Sequence, residues 1–385
     1  MIIIATMVVA ALGFYGWALS ATGYSSFARS ILWKDSDTGD QFRFPSRDIK
    51  SGSVTSVLTA GRSPLFNGDA AIARAGDNLE HFLEETDTTA FLVIHKDKLV
   101  YEKYFSGVQP ESLQTSFSVA KSFLSTLVGI AIDEGKIKSV NEPITTYIPE
   151  LTQRDERFKL ITLHHLLSMS SGIRYNEEGT PWSDDTVTYY GTDLRNLALQ
   201  KTSIKNTPGE LWLYNNYNPL LVGLILERAV GTSVSDYMSK KLWQPLGAEQ
   251  DATWSLDSEK SGFEKMESGL NVSPRDYARF GQLMLREGLW QDKQIVSREW
   301  LKIATSDINT SRSMRPYGYF WWVDPRANGS YFAAGNHGQF IYISPATQTV
   351  IVRTAKSDGA SYETWHTVFR DIARQLGTLP DTALH

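Results

Sequence analysis

The placement of strand-like segments at the two ends of the chain restricts the fold more than any other feature. Ala90–Ile94 and Leu99–Tyr104 lie near one end, and Tyr319–Val323, Phe340–Ile343 and Val350–Val352 lie near the other. All five runs are short and rich in β-branched and aromatic residues, and His95–Lys98 supplies a polar turn for a hairpin between the first two. Between Ser118 and Gly247 the pattern is helix and loop. Phe123, Leu124, Leu127, Val128, Ala131 and Ile132 recur at spacings of three and four, and Gly135 closes that segment. Leu163–Met169, Leu220–Val230 and a final Glu363–Leu376 are further helix candidates, whereas Thr180–Asp193 is polar and aromatic, like a loop over a site. The expected architecture is α+β. An antiparallel β-sheet is flanked by helices, and a helical part at about 143–250 is inserted between the N- and C-terminal strands.

From Met1 to Leu19 no side chain is charged, and Ile2–Ile4 and Val8–Val9 are strongly apolar. The length suits one membrane span, with Tyr15 and Trp17 placed like interfacial aromatics. Ala18-Leu19-Ser20 is similar to a small-x-small cleavage site, although no basic region precedes the apolar run. Residues 1–21 are therefore expected to be a transmembrane anchor or export signal, placing the protein at a membrane or in the periplasm. A buried N-terminal helix is the alternative. Residues 22–73 mix Gly, Ser, Asp and Arg without a sustained period and read as an irregular lead-in. The main domain is expected over 74–385, opening with a helix from Arg74 to Glu85.

Composition removes several function classes. The net charge of −5 and the lack of a long basic run give no reason to expect nucleic-acid binding. There is no cysteine, which excludes thiol catalysis, disulfides and thiolate metal sites, and the seven histidines lack zinc-type spacing. No metal and no cofactor is implied. Eleven tryptophans point to an aromatic core or a cleft lined with rings.

Chemistry enters at Ser118-Val119-Ala120-Lys121, the only place where a serine precedes a lysine by three residues. On a helix that spacing sets the amine beside the hydroxyl, and a serine with a neutral amine neighbour at a helix N-terminus can accept an acyl group. Taken alone, the pair fits an N-cap serine and a solvated lysine better. Tyr214-Asn215-Asn216, the only Tyr-x-Asn, follows Pro208-Gly209 and precedes a helix. There a phenol can pass a proton and an amide can meet a substrate carbonyl, or both can satisfy local turns. Gly335-Asn336-His337-Gly338-Gln339 stands just before a strand. Glycine there allows close approach of a ligand, and the N–H of Gln339 with that of Ser118 would form an oxyanion hole. A plain glycine-containing hairpin turn is the other reading.

Together, Ser-x-x-Lys, then Tyr-x-Asn, then a small-residue motif on a late strand resemble the serine hydrolases of the penicillin-binding fold. The closer resemblance is to the class C β-lactamase branch, with its family VIII carboxylesterases and 6-aminohexanoate-dimer hydrolases. His165–Gly172, Ser273–Gly281 and Tyr317-Gly318-Tyr319 running into Trp321-Trp322 support it, over about Thr88 to Gly377. The resemblance implies Ser118 as nucleophile, Lys121 and Tyr214 as its proton-transfer partners, and Asn216 orienting the acyl group. It also implies a third motif at Asn336, His337 and Gly338, with a one-residue slip placing His337 first. Tyr175 and the pair Asp184-Asp185 are candidates for substrate contact. The third motif in β-lactamases begins with lysine, and asparagine in its place moves the expectation towards a small-molecule ester or amide substrate. The rivals are a D,D-peptidase or β-lactamase acting on cell-wall-type substrates, and a non-catalytic membrane-anchored binding protein of the same fold.

Overall fold

The computed structural model describes residues 2–61, 68–71, 78–308, 316–327 and 329–377. Its centre is a six-stranded antiparallel sheet. The strand order is Lys98–Tyr104, Thr88–His95, Thr349–Ala355, Gln339–Ser344, Tyr331–Gly335, Trp322–Val323, so both ends of the chain meet in it. All eight residues of Thr88–His95 are buried. Side chains alternate across a strand, and here each face has its own core. Ala90, Leu92 and Ile94 join Ile341, Ile343, Val350 and Val352 against the helices of the main core. Phe91 and Val93 join Phe340, Tyr342 and Ile351 against Trp365, Phe369 and Ile372 of the C-terminal helix Tyr362–Gly377. A strand covered on both faces carries a continuous apolar run, which is why Ala90–Ile94 shows no alternation.

The helical part lies between these strands in sequence, as expected of the α+β architecture. Its longest helix, Tyr217–Val230, ends on Gly231, whose φ of 72° supplies the left-handed residue that closes the helix. The helix Ala120–Asp133 runs through the main core, with Phe123 stacked on Phe280 at 3.7 Å.

Three expectations shift. Tyr319–Val323 is not one strand: only Trp322–Val323 pairs, because Phe320 turns the chain at a φ of 59° and buries Trp321. The helix expected from Arg74 is observed over Leu79–Glu85, and residues 74–77 lie outside the described residues. The lead-in is more ordered than its composition suggests. It carries a helix, Ser26–Trp33, and a strand, Ser46–Ile49, which pairs with Ala252–Ser255 in a second sheet. These elements are too short for a period to show, and tertiary contacts hold them. Arg29, for example, donates to the backbone oxygens of Tyr190, Gly191 and Asp257.

A helix, Ile2–Ala21, occupies the N-terminal apolar segment, and Ala18 and Ala21 pack on Ala28. Among the described residues no helix is long and apolar enough to cross a membrane. The side chains at 2–5, 8 and 9 of this helix lie outside those residues.

Candidate active site

Ser118 sits in a single 3-10 turn, Phe117–Val119, that leads directly into the helix Ala120–Asp133. Phe117 holds a φ of 44°, a conformation costly for an aromatic residue. That strain turns Ser118 towards a cleft while Phe117, Val119 and Ala120 stay buried. Lys121 follows one turn later, and its Nζ donates to Ser118 Oγ at 2.8 Å and to Glu267 O at 2.8 Å. The lysine side chain is buried and, among the described residues, makes no ion pair. Its Nζ lies 5.0 Å from the centre of the Tyr214 ring. Burial lowers Lys121 to about 7, opposed in turn by the negative charges of Glu267, Asp185 and Glu177. Burial pushes the Tyr214 phenol the other way, far above its usual value, against the effect of its hydrogen bond to Ser118. The structure thus brings Ser118, Lys121 and Tyr214 together, with an amine that is half neutral near pH 7 and a phenol that keeps its proton.

Ser118 opens onto two cavities of about 360 and 410 Å³. Asn216 lines the first, and its Nδ2 donates to Asp185 Oδ1 at 3.5 Å. Tyr175 stands behind that wall rather than in it. Its hydroxyl donates to Asp185 Oδ1 at 3.3 Å, and its ring packs edge-on against Tyr217 at 5.8 Å. The acidic pair divides its work. Asp185 faces the cavity, while Asp184 accepts from Tyr217 Oη at 2.7 Å and from Asn176 N at 2.8 Å, tying its loop down.

The third motif is placed differently from the expected register. The glycine beside the nucleophile is Gly335: a Cβ there would stand 2.3 Å from Ser116 O and 3.0 Å from Ser118 N. Gly338, with φ of 74°, lies across the turn, where a Cβ would strike Arg353 Nη1 at 1.7 Å. Asn336 lines both cavities next to Ser118. His337 points away towards the lead-in, its Nε2 donating to Ser36 O at 2.8 Å. Gln339 is buried, and its amide donates to His337 O at 3.1 Å and Ala355 O at 2.7 Å, which braces the turn. The pattern Gly-Asn-His-Gly carries a glycine at each end, and only the packing distinguishes them.

Two parts of the site had no motif to announce them. Lys34, Asp35 and Ser36 of the lead-in line the first cavity, held there by Tyr190 Oη donating to Lys34 O at 2.7 Å. Below it, Lys265 and Glu267 form a buried ion pair at 2.9 Å, with the ammonium over the rings of Tyr189 and Phe44. This pair is a charge balance for Lys121, because Glu267 is the carboxylate that most favours protonated Lys121. Glu267→Gln removes that influence and is expected to move the acid limb of the pH–kcat/KM profile down. Lys265→Met uncovers the carboxylate and is expected to move the same limb up. Shifts in one direction for both variants would show that the pair does not tune the amine.

The family model described as Beta-lactamase matches residues 76–372. The chain is 29% identical to a 6-aminohexanoate-dimer hydrolase of Paenarthrobacter ureafaciens over 81% of this chain and 84% of that one. It is 29% identical to Esterase EstB of Burkholderia gladioli over 34% of this chain and 36% of that one. A solved structure of a putative 6-aminohexanoate-dimer hydrolase from Bacillus anthracis superimposes with a TM-score of 0.79 at 24% identity, covering 89% of this chain and 94% of that one. The chain belongs to the β-lactamase family of serine hydrolases.

Proposed function

We propose that the protein hydrolyses an ester or amide bond of a small molecule through an acyl-enzyme on Ser118, as a carboxylesterase or an amidase akin to 6-aminohexanoate-dimer hydrolases. The observation that carries this reading is the wholly buried Lys121 amine, 2.8 Å from Ser118 Oγ and lowered to about 7. Neutral Lys121 takes the hydroxyl proton as Oγ bonds to the substrate carbonyl carbon. The tetrahedral oxyanion is held by the backbone N–H groups of Ser118 and Asn336, the latter replacing Gln339 because Gly335 is the glycine against the nucleophile. Tyr214, whose phenol stays protonated, gives its proton to the leaving oxygen or nitrogen as that bond breaks, and recovers one from Lys121. A water then loses a proton to the same pair, its oxygen bonds to the acyl carbon, and Ser118 Oγ departs with a proton. Asn216 orients the acyl group from the first cavity.

With Gly335 as the glycine of the third motif, Ala333 takes the place where β-lactamases and D,D-peptidases carry a cation for the substrate carboxylate, and on the first cavity Asp35, Asp185 and Glu267 outnumber the one cation, Lys34. That charge distribution favours esters and amides lacking a carboxylate at this position. Purified protein assayed with p-nitrophenyl butyrate, a linear aminohexanoate dimer and nitrocefin is expected to turn over the ester fastest, ahead of the dimer, whose leaving amine carries a carboxylate, and of nitrocefin. Nitrocefin hydrolysis as the fastest of the three would overturn the assignment.

A further inference from the structure

The two cavities that meet at Ser118 differ in chemistry, and the proton donor belongs to one of them. The first carries three carboxylates, Asp35, Asp185 and Glu267, and one cation, Lys34. The second is walled by Tyr214, Trp322, Phe340, Tyr362 and Trp365, with Asp358 at its rim. Tyr214 lines only this second chamber, and a general acid must touch the atom it protonates. The leaving group therefore departs there, and the acyl group lies on the Asn216 side.

We propose that the aromatic chamber is a leaving-group site that accepts a neutral aromatic alcohol or amine of about benzyl size and rejects one bearing a carboxylate. This rests on the reading of Ser118 and Tyr214 given above. The chamber walls are fixed before any ligand arrives. Trp322 stacks on Tyr214 at 5.7 Å with 19° between planes, and on Phe332 at 6.4 Å with 7°. Trp365 donates its Nε1–H to Asp358 O at 2.8 Å and carries the Arg353 guanidinium 3.8 Å from its ring. Rings held this way pack against another ring at little entropic cost. The charge at the rim is acidic. Among the described residues lining the chamber none is cationic, and Arg353 behind the wall is buried, with its donors on Thr86 O, Thr88 Oγ1, Gly338 O and Ser357 O. A leaving group ending in a carboxylate, such as 6-aminohexanoate, would meet Asp358 with no cation on the chamber wall to pair with it, the Arg353 guanidinium behind the wall being already set against Asp358 and Asp87.

The test compares butyrate esters of benzyl alcohol, 4-carboxybenzyl alcohol and ethanol, so that the acyl half is constant. The benzyl ester is expected to exceed the carboxybenzyl ester in kcat/KM by about fivefold, the scale of one unfavourable charge contact near solvent. Asp358→Asn is expected to narrow that gap by about threefold. Tyr362→Ala is expected to lower the benzyl-to-ethyl ratio by about threefold. Equal rates for the two benzyl esters in the wild type, or a gap unmoved by Asp358→Asn, would overturn the chamber assignment. Fluorophosphonate labelling separates the two levels. A labelled Ser118 with no discrimination sinks the chamber alone, whereas an unlabelled, inactive protein sinks the Ser118 reading and the chamber with it.

Discussion

Ser118→Ala is expected to fold normally and to lose about 10⁴-fold or more in turnover of every substrate, together with all fluorophosphonate labelling. The expectation of an intact fold comes from the geometry. Ser118 is half-buried at the end of a short turn whose shape is set by Phe117 and by the backbone packing of Gly335 on Ser116 O. Its Oγ accepts a bond from Lys121, which keeps its second acceptor at Glu267 O when the hydroxyl is gone. The loss of activity is an all-or-none matter, since no other hydroxyl accepts from Lys121 Nζ at 2.8 Å among the described residues. The check is a single-turnover assay with a chromogenic ester alongside mass spectrometry of probe-treated protein. A probe adduct that persists in the alanine variant would move the nucleophile elsewhere.

Lys121→Met carries two expected effects of opposite sign. Turnover falls by about 10³-fold, the usual loss when a general base is removed. Stability rises, and the rise depends on pH. In the folded protein burial lowers Lys121 to about 7, well below the 10.5 of an exposed lysine. Between those values the unfolded chain binds the proton and the folded chain does not, so unfolding is favoured increasingly as pH falls. The burden is absent above about 10.5, grows as pH falls towards about 7, and is constant below that. Methionine fills a similar volume without a charge to desolvate. Its melting temperature should therefore exceed the wild type's at pH 6 by several degrees and converge with it near pH 11. An advantage that is the same at both pH values would mean that the amine is not strained by its burial. The same numbers fix the wild-type profile: activity should fall tenfold per unit below about pH 7, as neutral Lys121 is lost.

Readability in the sequence followed how local each feature is. Ser118–Lys121 and Tyr214–Asn216 are spacings of two or three residues, and local backbone geometry suffices to predict that their side chains are neighbours. The antiparallel sheet could be anticipated because Ala90–Ile94, Phe340–Ile343 and Val350–Val352 are buried on both faces and so are unbroken apolar runs. The third motif was different. Gly335 and Gly338 are equally good turn residues, and only Ser116 O on one side and Arg353 on the other separate them. Phe320 has no residue-type signal for its positive φ, so the strand was expected to begin three residues too early. Lys265 and Glu267 stand two apart on an irregular segment, and nothing in that spacing says that both charges are buried together.

The lead-in has a consequence for how the protein is handled. The family model matches residues 76–372, but Ser30, Lys34, Asp35 and Ser36 form one bank of the cleft, and Asp40 is anchored to Tyr189 Oη at 2.9 Å. A clone trimmed to the recognisable domain would keep the nucleophile and its base and lose a wall of the vessel in which they work. It would pass an active-site labelling assay and misreport selectivity. For this chain, the edge of the family model and the edge of the working enzyme are not the same line.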